Sequence, residues 1–156
     1  MSLTIGFKKV HEKAVLPTQA KPGDAGYDLC CVEDFILYPG QTYMVPTGLV
    51  VASWEVNERF ANHFLQILSR SGLASKGIYV LGGVVDSGYR GEVRVLLHNG
   101  NFGAWSKVQP VTFKAGDKIA QAVVQCIMND QLVSIKEVKE IEQTSRGDGG
   151  FGSTGA

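Results

Sequence analysis

Apolar residues along this chain either alternate with polar ones or run unbroken over strand-length stretches, and glycine and proline keep interrupting them. Nineteen glycines and five prolines in 156 residues leave little room for long helices, so the pattern predicts an all-β chain. Residues 42–52 are β-branched and apolar, with Pro46-Thr47-Gly48 as a turn, and residues 63–68 are a short apolar run. Residues 92–98 carry Val93, Val95 and Leu97 on one face, and Asn99-Gly100 then supplies turn residues. Residues 108–113 and 119–128 predict two further strands, and residues 71–76 one short helical turn. Residues 133–141 fit a strand or a polar helix, of which the strand is favoured. With no repeat and no linker, the chain reads as one compact β-domain, residues 1–145, followed by a mobile glycine-rich C-terminal arm, residues 146–156.

A chain of 156 residues with 44% hydrophobic content is one domain long and can bury a real core. Fifteen basic and fifteen acidic residues cancel, so nothing draws the whole molecule to nucleic acid or to an anionic membrane. Any bound anion must be held by a local cluster. Of the three cysteines, Cys30 and Cys31 are adjacent and none forms a C-x-x-C pair, which predicts reduced, buried thiols. His11, Glu12 and Lys13 stand where a signal peptide needs an apolar run, and nowhere are about eighteen apolar residues consecutive. The expectation is a soluble intracellular protein, cytoplasmic or nuclear. His11, His63 and His98 are widely spaced and match no metal-ligand pattern.

Candidate chemistry concentrates in five places. The arm combines Arg146, five glycines, Phe151, Ser153 and Thr154, groups able to fold over a phosphate. Its Gly147, Gly149 and Gly152 satisfy G-x-G-x-x-G, but that pattern means dinucleotide binding only between a strand and a helix, and no helix is predicted after these glycines. A P-loop reading fails because Ser153 stands where the lysine belongs. By itself such a tail reads most simply as a solvated terminus. Asp28, in Ala25-Gly26-Tyr27-Asp28-Leu29, lies at the mouth of a strand and alone is a turn aspartate. Ser69-Arg70-Ser71-Gly72 sets guanidinium, hydroxyl and glycine together, as a phosphate site or as a cap beside a surface arginine. In the segment from Gly82 through Gly83 and Val85 to Glu92, two glycines open a tight hairpin, and Asp86 and Tyr89 follow with Arg90 and Glu92 beside them. The segment is either a base-and-sugar site or a hairpin closed by an Arg90–Glu92 ion pair. Gly116-Asp117-Lys118-Ile119-Ala120-Gln121 is a turn into a strand, with Gln121 a pore-facing polar side chain or an ordinary edge residue.

In this order the five segments resemble the five motifs of the trimeric all-β deoxyuridine triphosphatases (dUTPases), from about Ala25 to Gly155. The resemblance implies a distorted jelly-roll-like β-barrel, a homotrimer with sites at subunit interfaces, and Mg²⁺-dependent hydrolysis of dUTP to dUMP and pyrophosphate. On this resemblance Asp86 is the general base for the attacking water, Tyr89 lies against the deoxyribose, and the hairpin containing Gly83 and Val85 reads uracil. Arg70, Ser71 and Gly72 bind the α- and β-phosphates, Gln121 adds a phosphate contact, and Asp28 meets Mg²⁺ through water rather than directly. Phe151 stacks on the base, while Arg146, Gly152, Ser153 and Thr154 clamp the γ-phosphate. Four features depart from the family pattern, the first being Cys30, which stands where many members have a tyrosine. Ser69 stands for a proline and is expected to loosen its turn, Gly88 stands for an acidic residue, and the stretch from Trp54 to Asn62 is longer and more polar than its counterpart. Two alternatives share this architecture: a dCTP deaminase-like enzyme, and a nucleotide-gated protein-binding module.

Overall fold

The computed structural model describes residues 3–56, 61–101, 109–128 and 133–145. In chain order these form β1 (Leu3–Lys9), β2 (Tyr27–Cys30), β3 (Phe35–Leu37), β4 (Thr42–Val56), β5 (Ala61–Leu68), α1 (Ser71–Ala74), β6 (Ile78–Leu81), β7 (Val84–Val85), β8 (Glu92–Asn99), β9 (Val111–Phe113) and β10 (Lys118–Met128). One four-stranded sheet has the order β1-β4-β8-β6, a second has β2-β10-β5-β7, and β3 pairs with β9. Every pairing between these strands is antiparallel.

The alternation along β8 survives intact: Val93, Val95 and Leu97 are buried while Arg94 between them is exposed. They join one buried cluster that draws Val45, Leu49, Val51 and Ile78 from the first sheet, Leu65, Ile67, Ile119 and Ala122 from the second, and Leu37 and Phe113 from the third. Each large aliphatic side chain buried in this way contributes roughly 1.5–3 kcal/mol, so the shared core is what holds the sheets together.

Several expectations need correction. Pro46-Thr47-Gly48 does not reverse the chain but forms an irregularity within the fifteen-residue strand β4. Pro46 has no N–H for the ladder to β8, and the interruption is repaired by side chains. Thr47 Oγ1 donates to the Val93 carbonyl, and the Gly48 N–H donates to Glu92 Oε1 at 2.8 Å. Asn99 is the fully buried end of β8 rather than a turn residue, and its Nδ2 donates to the Leu37 carbonyl at 3.1 Å. Residues 133–141 are not a strand: no described strand lies beside them, and Ile135 and Ile141 are 98% and 89% exposed. Trp54 and Asn62 belong to β4 and β5 rather than to a loop, with residues 57–60 outside the described residues. Cys30 and Cys31 are buried free thiols, as expected, and loss of hydration raises the pKa of both. Cys126 is exposed, because the last residues of β10 run beyond the core. Among the described residues no helix is long and apolar enough to cross a membrane.

Candidate functional site: two clefts on one chain

Antiparallel register assembles the first cleft. Gln121 on β10 lies opposite Asp28 on β2 and opposite Leu68 on β5, so the three adjacent strands set these residues in one row. Two residues beyond Leu68 the chain reaches Arg70, whose extended backbone (φ −78°, ψ 136°) caps α1. Its carbonyl accepts the N–H groups of Leu73 and Ala74 at 3.0 and 2.9 Å. Asp28, Arg70, Ser71, Gly72 and Gln121 thus line a single cleft of about 550 Å³. A Cβ placed on Gly72 would meet only open space, so packing within the chain does not demand glycine there.

Asp28 meets two cations here. Arg70 Nε lies 3.1 Å from Asp28 Oδ1, and Lys118 Nζ lies 2.7 Å from Oδ2. Arg70 Nη1 also donates to the Lys118 carbonyl at 3.2 Å. Lys118 was not assigned a role from the sequence, because strict alternation puts residues three apart on opposite faces of a strand. A register shift between Lys118 and Ala120 brings Lys118 opposite Cys30, two residues from Asp28 and on the same face. Gly26 was missed for a different reason: a Cβ there would strike Gln121 Oε1, so glycine makes room for the amide whose Nε2 donates to the Ser69 carbonyl at 3.0 Å. Ser69 does not loosen the turn, since its hydroxyl also accepts the Val80 N–H at 2.9 Å.

The second cleft, of about 390 Å³, gathers Gly83, Val85, Asp86 and Tyr89 with Val80 and Leu81. Its glycines do not close a hairpin, because β6 pairs with β8 in the first sheet and β7 pairs with β5 in the second. Gly82 (φ 69°) and Gly83 (φ 102°) instead carry the chain between sheets in the left-handed region. The Gly83 carbonyl accepts the Ile67 N–H at 2.7 Å, and a Cβ on Gly83 would collide with the Ile67 carbonyl oxygen. Asp86 is exposed and starts a turn closed by the Tyr89 N–H on its carbonyl at 3.0 Å. Tyr89 Oη donates to the Glu92 carbonyl at 3.1 Å, which folds the ring over Gly91. The Arg90–Glu92 pair does not form. Arg90 Nη1 donates to the Ser87 and Tyr89 carbonyls, while Glu92 holds Gly48 N–H and Arg94.

Among the described residues none lines both clefts. Arg146, Phe151, Gly152, Ser153 and Thr154 lie outside the described residues. Among the described residues no three His, Cys, Asp or Glu side chains cluster for a metal, so an all-protein cage is excluded there. A hydrated divalent ion carried on phosphate oxygens still suits Asp28, a carboxylate that lines the first cleft and whose Oδ2 is in ion-pair contact with Lys118 Nζ at 2.7 Å. A third cleft, of about 680 Å³ and mostly apolar, lies between β1 and the second sheet, with Leu3, Ile5, Phe7 and Val124 in its walls.

The chain is thus all-β, with one cleft around the Asp28–Arg70 ion pair and another around the Gly82-Gly83 crossover and Asp86. The family model for dUTPase matches residues 12–155, and the chain belongs to the dUTPase family. It is 45% identical over 156 residues to the deoxyuridine 5'-triphosphate nucleotidohydrolase of Wolinella succinogenes, with 98% of this chain and 95% of the relative covered. It is 44% identical to the enzyme of the same name from Nocardia farcinica, with 97% and 85% covered. Among solved structures it resembles the Staphylococcus bacteriophage 80alpha dUTPase with dUPNHPP, at 25% identity, a TM-score of 0.77 and coverage of 98% and 99%. A mutant dUTPase from phage phi11 of S. aureus, in which a structural Mg(II) ion is coordinated, shares the fold at 24% identity, a TM-score of 0.73 and coverage of 90% and 99%.

Proposed function

We propose that this protein hydrolyses dUTP to dUMP and pyrophosphate. The observation that carries the reading is the dUTPase family match over residues 12–155, and it is supported by the sorting of the candidate residues, with Asp28, Arg70, Ser71, Gly72 and Gln121 lining one cleft and Gly83, Val85, Asp86 and Tyr89 the other. Water attacks the α-phosphorus, the new P–O bond forms as the bond to the α,β-bridging oxygen breaks, and pyrophosphate leaves. Asp86 takes the proton of the attacking water as general base. Arg70, Ser71, Gly72 and Gln121 hold phosphate oxygens; an arriving phosphate would compete with Asp28 for the Arg70 guanidinium. The backbone around Gly83 and Val85 meets the uracil edge, and Tyr89 excludes a 2′-hydroxyl. When bound, Mg²⁺ supplies charge neutralisation on the phosphate oxygens, and Asp28 would hold it through a bound water. Arg146 and the segment with Phe151, Gly152, Ser153 and Thr154 close over the nucleotide as a C-terminal arm.

The same reading makes the protein a homotrimer with sites between subunits. Two half-sites that share no lining residue suit a site completed by a neighbour. The apolar third cleft and the exposed Ile135 and Ile141 are surfaces that assembly would cover. The deciding experiment is pyrophosphate release from dUTP, with Mg²⁺ and with chelator, compared against dTTP, dCTP and UTP. Selective, chelator-sensitive release from dUTP is expected. Ammonia release from dCTP, or nucleotide binding without turnover, would replace the reading with a deaminase or a binding module.

A further inference from the structure

The two clefts share no lining residue, yet one side chain ties their scaffolds together. Ser69 immediately precedes Arg70, and its carbonyl is held by Gln121 Nε2 on the anion side. Its hydroxyl accepts the N–H of Val80, which lines the base cleft. Val80 lies in β6, an edge strand of the first sheet. Alternate N–H groups of an edge strand face away from the ladder, and Ser69 satisfies this one. Two residues earlier, the Ile67 N–H donates to the Gly83 carbonyl at 2.7 Å. Val80 and Gly83, which bracket the glycine crossover, are therefore pinned to the same short stretch that delivers Arg70 to the anion cleft. A proline at position 69 would offer no hydroxyl for this link.

We propose that Ser69 is a positioning residue through which occupancy of the anion cleft is felt at the base cleft of the same chain. The proposal rests on reading the clefts as halves of dUTP sites. On that reading one chain's halves would serve different sites of a trimer, and the link would run between neighbouring sites. An anion that recruits the Arg70 guanidinium competes with Asp28 and pulls on the Ser69-Arg70 turn. The hydroxyl passes that movement to Val80, and with it to the backbone that meets the base.

The test uses pyrophosphate and deoxyuridine as separate probes, titrated calorimetrically against the full chain. In the unsubstituted protein, saturating pyrophosphate should tighten deoxyuridine binding, and deoxyuridine should tighten pyrophosphate binding by the same factor. Ser69→Ala and Ser69→Pro should lose that coupling and weaken deoxyuridine alone by about threefold to tenfold, the scale of one hydrogen bond. Ser69→Thr, which keeps the hydroxyl, should retain both. Coupling that is absent from the unsubstituted protein, or unchanged in Ser69→Ala, overturns the proposal. Should Ser69→Ala fail to fold, amide exchange in the unsubstituted protein decides: pyrophosphate should slow exchange at Val80, and unaltered exchange there overturns the link. Failure of the functional reading would look different, since dUTP would then release no pyrophosphate even with Ser69 in place.

Discussion

In the anion cleft the key charges are already matched within the chain: Asp28 sits between Arg70 and Lys118, and the Arg70 side chain is only 36% exposed. In the base cleft, Asp86 is exposed and forms no ion pair among the described residues, while two left-handed glycines and a folded-back tyrosine define the shape. Partly exposed ion pairs contribute about 0–1 kcal/mol each to stability, so the cluster around Asp28 is not explained by what it does for the fold. It makes sense as a site where one anion stands in for another: the carboxylate keeps the guanidinium oriented until a phosphate replaces it. The base cleft has no such stand-in, and on the proposed reading its recognition would rest on backbone position and steric refusal. One cleft exchanges partners and the other must keep its shape, so substitutions in the two should fail in different ways.

The largest expected effect is at Asp86. Asp86→Asn keeps the size of the side chain but removes the base, and turnover should fall roughly 10²- to 10⁴-fold while dUTP still binds. Single-turnover kinetics beside a binding titration separate the two quantities, and near-normal turnover would take Asp86 out of its role. Next in size is a recovery. Chains carrying Asp86→Asn and chains carrying Arg70→Ala are each defective in one cleft, so co-refolded trimers should regain activity with about a quarter of the sites intact on random assortment. If both clefts of one chain served the same site, no mixed trimer could hold a complete one, and the mixture would show no gain over the separate parents.

How far these clefts were legible in the sequence follows the same division. Asp28, Arg70, Ser71, Gly72 and Gln121 were readable as a set, and the register of β2, β10 and β5 brings them together. Lys118 was not, because only the bulge beside it puts its side chain on the Asp28 face, and a bulge leaves no mark in an apolar–polar pattern. Gly82 and Gly83 were recognised as special, but as a hairpin, since a sequence does not say which sheet each flanking strand joins. β8, with clear alternation, and β10, a long apolar run, were visible. β3 was not, being three residues long and paired with a strand far along the chain, and β1 was missed although Leu3, Ile5 and Phe7 alternate along it. Residues 133–141 carry a strand-like pattern with no described strand beside them, and pattern alone cannot supply a hydrogen-bonding neighbour.

A smaller effect tests shape in the base cleft. Tyr89→Ala removes the ring that stands over Gly91 and should narrow the preference for dUTP over UTP by about tenfold, the discrimination available to apolar and steric contacts. Parallel kcat/KM measurements on the two nucleotides check it, and unchanged selectivity would mean that another group reads the sugar.

The smallest effect returns to the anion cleft, at a glycine with no chemistry of its own. Gly26→Ala places a methyl group against the far end of Gln121, which can swing aside, so the fold should survive. What is lost is the Gln121 amide's bond to the Ser69 carbonyl, and with it one restraint on the turn that presents Arg70. Pyrophosphate affinity should therefore weaken about threefold to tenfold, the scale of a single hydrogen bond, while a single-turnover rate at saturating dUTP stays near that of the unsubstituted chain. A fall in that rate with unchanged pyrophosphate affinity would place Gln121 in the chemical step and blur the division between a cleft that holds phosphate and a cleft that activates water.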